Sequence, residues 1–274
     1  MKVYHIKING CNNRKISVDY RFKETQKSLI PIIYVHGFKG FKDWGASNFV
    51  ADSFANQGFL FLKFNFSHNG VTSKNLLDFV DLEAFGMNNY LIELKELGIV
   101  IDWLEASELN IQFSKLAVIG HSRGGGIALL RSAQDKRIKN TITWASVCDF
   151  KARFPLDISE WKETGVKYIL NGRTMQMMPM YYQFYKSFIE NKQILDIPYQ
   201  SKKIRQNVMI IHGTDDKVVP YSDAEFLASL ITNSTLVLIK NTGHTFDIKH
   251  PFEMNHLPEN MVKVIDTTIN FLSI

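Results

Sequence analysis

The chain has 274 residues, 45% hydrophobic and 22% charged, which is the composition of a folded globular protein and excludes a disordered or fibrous one. No apolar run approaches the roughly 18 residues of a membrane span, and two cysteines, Cys11 and Cys148, are too few for a disulfide framework. The net charge of +5 is scattered, densest at Lys202, Lys203 and Arg205, which describes a solvated surface and not a nucleic-acid module.

That length suits one large α/β domain spanning residues 1–274. Residues 1–8 alternate like a strand and lack the apolar region and cleavage site of a signal peptide, so a cytoplasmic location is expected. Residues 16–22 read as a second strand, and 30–36 as one buried on both faces. A helix is expected at 47–57 with Ser47 as its cap, then a strand at 59–64. Residues 81–104 space their apolar side chains as a helix does, with a break expected at Gly98. Strands are expected at 116–119, 141–147, 208–211 and 236–239. Strands alternating with helices imply a mostly parallel, doubly wound sheet.

Residues 149–203 break this rhythm. They are rich in large flexible side chains, among them Met175, Met177, Met178, Met180, Tyr182 and Phe184. A helix is expected to open at Pro179 and run to Ile189. Methionines and aromatics of this kind adapt to apolar ligands, and Met178 and Tyr182 are the candidate substrate contacts.

The chemistry concentrates at Gly120-His121-Ser122-Arg123-Gly124. An apolar strand precedes this Gly-x-Ser-x-Gly and a small-residue helix follows. Such a turn lifts one serine hydroxyl onto an exposed elbow. A serine needs a base to take its proton, and the base needs a third group to orient it. Downstream, the strand 208–211 opens into His212-Gly213-Thr214-Asp215-Asp216, and the strand 236–239 is followed by Gly243-His244. Ser122 is thus the candidate nucleophile and His244 the candidate base. The acid is Asp215 or Asp216. His212 and His121 read as packed residues, and His250 and His256 as surface ones.

These motifs, with Tyr34-Val35-His36-Gly37-Phe38 near the start, resemble the α/β-hydrolase superfamily over about residues 30–270. The nearest branch is similar to the dienelactone hydrolase, acyl esterase and prolyl-oligopeptidase-like group. The resemblance implies an α/β-hydrolase fold with the acid at Asp216, counted from Gly213 and Pro220. It implies an oxyanion hole made by the backbone N–H groups of Phe38 and Arg123, and makes 149–203 a lid over the serine. The Arg123 side chain either reaches a substrate carboxylate or anchors the lid.

The activity expected is hydrolysis of a carboxylic ester of a small or medium acyl group through an acyl-enzyme. No metal or organic cofactor is called for: zinc spacings and Gly-rich phosphate motifs are missing. A small-molecule ester is the expected partner, with no nucleic acid or membrane. The alternatives are a peptidase, with Glu160 and Glu163 holding a substrate ammonium, a thioesterase, or a non-catalytic binding module.

Overall fold

The computed structural model describes residues 1–24 and 28–273. Its main sheet has eight strands: β1 (Lys2–Asn9), β2 (Lys15–Phe22), β3 (Ile30–Val35), β4 (Phe59–Asn65), β5 (Ala117–His121), β6 (Asn140–Trp144), and two later strands, Asn207–Gly213 and Ser234–Ile239. A separate hairpin lies between them in sequence, β7 (Val166–Asn171) and β8 (Gln176–Tyr181), so the later strands are β9 and β10. The order across the sheet is β1-β2-β4-β3-β5-β6-β9-β10. β1 and β2 pair antiparallel, as do β2 and β4, and every other pairing is parallel.

Burial explains the strand sequences. β1 sits at an edge and alternates exposed with partly buried residues, only Ile8 being buried. β4 lies inside the sheet and every residue of Phe-Leu-Phe-Leu-Lys-Phe-Asn is buried. Helices cover both faces, as a parallel sheet requires. Tyr90–Glu105, Arg123–Gln134 and Ser222–Leu230 pack on one side through Leu97, Leu130 and Leu227. Ser47–Asn56 and Glu259–Leu272 pack on the other through Phe54 and Ile265. None of the described helices is long and apolar enough to cross a membrane.

Three local expectations need correcting. The Ser47–Asn56 helix is capped from Ala46, with no side-chain bond, and Ser47 is its first residue. The 81–104 stretch is two helices, Leu82–Met87 and Tyr90–Glu105, each started by a capping side chain: Asp81 accepts from Ala84 N–H and Asn89 from Ile92 N–H. Gly98 does not break the second. Its open side takes the Arg131 guanidinium of the Arg123–Gln134 helix, which would lie 2.7 Å from a Cβ there. Finally, Pro179 lies within β8, and the helix after it runs only over Gln183–Glu190.

Candidate active site

The site lies where the parallel strands end, the usual location for ligands in open α/β sheets. Ser122 follows β5 at φ +56° and ψ −120°, a conformation that non-glycine residues rarely hold. Two glycines make room for it. A Cβ on Gly120 would come within 2.3 Å of the Gly124 carbonyl oxygen, and one on Gly124 within 2.4 Å of the Val35 carbonyl oxygen. The Gly-x-Ser-x-Gly spacing is therefore a packing requirement: the chain turns back against β3 with no space for side chains at Gly120 and Gly124.

Asp216 follows β9 and is 7% exposed. Its Oδ1 accepts the Val218 and Val219 N–H groups at 2.8 and 2.9 Å. Its Oδ2 accepts from His244 Nδ1 at 2.7 Å and lies 3.2 Å from His212 Nε2. Burial alone would raise its pKa, but hydrogen bonds from His212, His244 and Val219 outweigh it and hold the carboxyl well below the usual range. An ionised carboxylate only accepts, so the proton between the two groups sits on Nδ1 of His244 and leaves Nε2 free to act as a base. Asp215 is exposed, and its carboxylate takes the Thr214 hydroxyl at 2.9 Å. The carboxylate facing His244 belongs to Asp216.

His244 is held from a second direction. His121 Nε2 donates to the His244 carbonyl at 2.9 Å, and burial pushes the His121 pKa down to about 3, so that ring stays neutral. His212 is fully buried and donates to the Val219 carbonyl, fixing the turn that aims Asp216. His256 is exposed, but His250 lines a cavity wall. Its ring stacks on Trp44 and its Nδ1 accepts the Gly45 N–H.

The loop after β3 carries Phe38 beside Ser122: a Cβ on Gly37 would lie 2.9 Å from Ser122 Cβ. An ion cluster under the sheet holds that loop. Lys42 bonds Asp19 of β2 at 2.5 Å, and Lys63 of β4 bonds Asp43 at 2.5 Å. All four side chains are largely buried, and the charges balance. Sequence reading passed over Lys63, although one lysine inside the apolar run 59–65 was a signal. His36 adds a further tie. Its Nδ1 donates to the Gly37 carbonyl, Phe66 N–H reaches its Nε2, and burial lowers its pKa to about 4.

Arg123 borders open space beside Ser122, but its side chain is largely buried and its guanidinium is paired. It bonds buried Glu93 at 3.3 Å and lies over the rings of Phe38 and Phe184, at 3.9 and 5.3 Å. It thus ties the turn after Ser122 to the Gln183–Glu190 helix. Burial raises the pKa of Glu93, opposed by Arg123 and Asn88.

Two cavities meet at Ser122 and His244. One, of about 670 Å³, is walled by Tyr90, Phe150, Phe154, Trp161 and Phe184, with Met180 and Ile169 of the hairpin. The other, of about 340 Å³, is more polar. Phe38 and Lys39 line both. Neither Met178 nor Tyr182 borders them, which corrects the expected substrate contacts. Met178 is fully buried against Phe41, Phe79 and Phe85, and Tyr182 packs on Trp161 and Tyr185 at the start of its helix. Met178 and Met180 share one face of β8; Met178 is sealed within the Phe41, Phe79 and Phe85 cluster, and Met180, only partly buried, borders the larger cavity. Glu160 and Glu163 are exposed and border neither space.

The BD-FAE family pattern matches residues 93–231, just over half of the chain. This chain belongs to the BD-FAE family, within the α/β-hydrolase superfamily. A curated relative, the uncharacterized hydrolase YugF of Bacillus subtilis, is 24% identical over 232 residues, covering 71% of this chain and 83% of that one. Among solved structures, ferulic acid-bound Est1E of Butyrivibrio proteoclasticus superposes with a TM-score of 0.76 at 18% identity, covering 97% and 98% of the two chains. Dienelactone hydrolase of Anabaena variabilis gives 0.66 at 14% identity, covering 99% and 97%. These likenesses are ones of fold.

Proposed function

We propose that this BD-FAE family member hydrolyses carboxylic esters through an acyl-Ser122 intermediate, with His244 as base and Asp216 as the acid that orients it. The observation that carries this is the 2.7 Å bond from His244 Nδ1 to a buried, ionised Asp216 beside a serine held at positive φ. His244 Nε2 takes the Ser122 proton as Oγ attacks the carbonyl carbon. The Phe38 and Arg123 N–H groups receive the negative charge on the carbonyl oxygen. The leaving alkoxide takes the proton from His244 and departs. Water then attacks the acyl group, gives its proton to His244, and releases the acid as Ser122 regains its hydrogen.

Residues 149–203 act as the lid of this site, supplying most of the larger cavity's aromatic wall. That wall favours an aromatic or extended apolar acyl group, and the ferulic acid seen in the Est1E structure supports the same class. Free thiols at Cys11 and Cys148 support a reducing, cytoplasmic setting. The exposed positions of Glu160 and Glu163 leave a peptide ammonium without a partner here, which favours esters over aminopeptidase substrates. Comparing kcat/KM for methyl ferulate, a short alkyl ester, a thioester and an aminoacyl amide tests the reading. The ester with the aromatic acyl group should lead. An amide turned over fastest would overturn it.

A further inference from the structure

The smaller cavity has a wall the mechanism above does not use. Most of its polar groups are already committed. Arg173 bonds Asp78 and the Leu77 carbonyl, both at 2.9 Å. Lys39 bonds the Leu170 carbonyl, and the Thr245 hydroxyl bonds the Ile248 carbonyl. Asn171 differs. It ends β7 at the hairpin turn and is 6% exposed. Its Oδ1 accepts the Arg173 N–H at 3.3 Å, which fixes which end of the amide is which. The other end, Nδ2, is buried and has no hydrogen-bond partner among the described residues. Buried donors are rarely left unmade, because desolvation is then uncompensated. Asn171 lines the smaller cavity, so an oxygen seated against that wall would supply the partner Nδ2 lacks.

The two cavities also differ in how they face the base. The leaving oxygen must lie against the His244 nitrogen that protonates it. The His244 loop supplies His244, Thr245 and His250 to the smaller cavity but only His244 to the larger one.

We propose that the smaller cavity receives the leaving alcohol, and that Asn171 is a specificity-determining residue whose Nδ2 donates a hydrogen bond to a hydroxyl or carbonyl oxygen on that alcohol. Esters of oxygen-bearing alcohols are then preferred to those of plain alkyl alcohols sharing the same acyl group. This rests on the ester-hydrolase reading above.

The test compares the methyl ester and the glyceryl ester of one aromatic acid, in wild type, Asn171→Leu and Asn171→Asp. Leucine removes the donor, and aspartate keeps the shape while replacing the donor with an acceptor. Labelling of Ser122 by a small fluorophosphonate verifies that each variant is folded and competent. In both variants kcat/KM for the glyceryl ester should fall roughly tenfold, the worth of one hydrogen bond, while the methyl ester changes by less than about twofold. An equal fall on both esters would make Asn171 merely structural, and no change on either would make it a turn residue; each overturns the proposal. A fall confined to the methyl ester would overturn the cavity assignment. Failure of wild type to hydrolyse either ester would instead overturn the parent reading.

Discussion

The sheet and the β7–β8 hairpin hold their side chains by different means. Ser122, Asp216 and His244 follow β5, β9 and β10, whose relative positions are set by continuous parallel hydrogen-bond ladders through β6. The loop bearing Phe38 follows β3, paired directly with β5. The hairpin pairs only with itself and rests on the Leu82–Met87 helix and the loop after β3 through side chains, among them Met178 on Phe41, Phe79 and Phe85. Backbone ladders place a residue from its distance to a strand end. Side-chain packing places it only once every neighbour is known. One region can therefore hold a fixed reaction geometry while the other varies the shape of what is admitted.

The comparison predicts that chemistry is lost through the sheet loops alone. Asp216→Asn removes the carboxylate that fixes the His244 tautomer and should lower kcat by about 10⁴. Asp215→Asn, its exposed neighbour, should stay near wild type. Steady-state kinetics on one activated ester checks both. A larger loss at Asp215 would mean that the 2.7 Å contact of Asp216 does not serve the reaction.

Within the hairpin, two methionines two residues apart should behave as opposites. Met178→Ala empties a fully buried site and should cost about 2–5 kcal/mol of stability, read by denaturant unfolding, with the order of ester preference unchanged. Met180→Ala should enlarge the cavity wall and shift preference toward bulkier acyl groups, with a smaller stability loss. The reverse pattern would put Met178 at the substrate.

This pair also marks where the sequence stopped being legible. The elbow, the order of serine, acid and histidine, and the alternation of strands with helices are local patterns tied to strand ends, and local patterns can be read directly. A helix opening at Pro179 leaves the facing of Met178, Met180 and Tyr182 unspecified, and size and flexibility alone single out Met178 and Tyr182. The segment is in fact a strand to Tyr181, with Met178 and Met180 on one face; the Phe41, Phe79 and Phe85 cluster covers the first and the larger cavity borders the second. No local signal distinguishes the two, because the choice is made by Phe41, Phe79 and Phe85, which are distant in sequence. Lys63 and Glu93 escaped for a similar reason: their partners, Asp43 and Arg123, come together only in the fold.

Acid should weaken the sheet side first. The segment 149–203 has no histidine, whereas the site has neutral, buried His36 with a pKa lowered from 6.5 to about 4. A folded value below the unfolded one means that the unfolded chain binds the proton first. The contribution is therefore intact above pH 6.5 and is lost as pH falls toward 4, by on the order of 3 kcal/mol. Urea unfolding at several pH values across that window should show the decline, and His36→Asn should flatten it. An unchanged slope in the variant would assign the acid sensitivity elsewhere.

The most direct test of the account is to trap the acyl-enzyme. Rapid quench of the protein with an activated aromatic ester, followed by peptide mass analysis, should show a burst of alcohol release and the acyl mass on the peptide containing Ser122. Ser122→Ala should give neither, with turnover reduced on the order of 10⁶. Full hydrolysis by that variant, or an acyl mass on another residue, would contradict the assignment of Ser122 as the nucleophile.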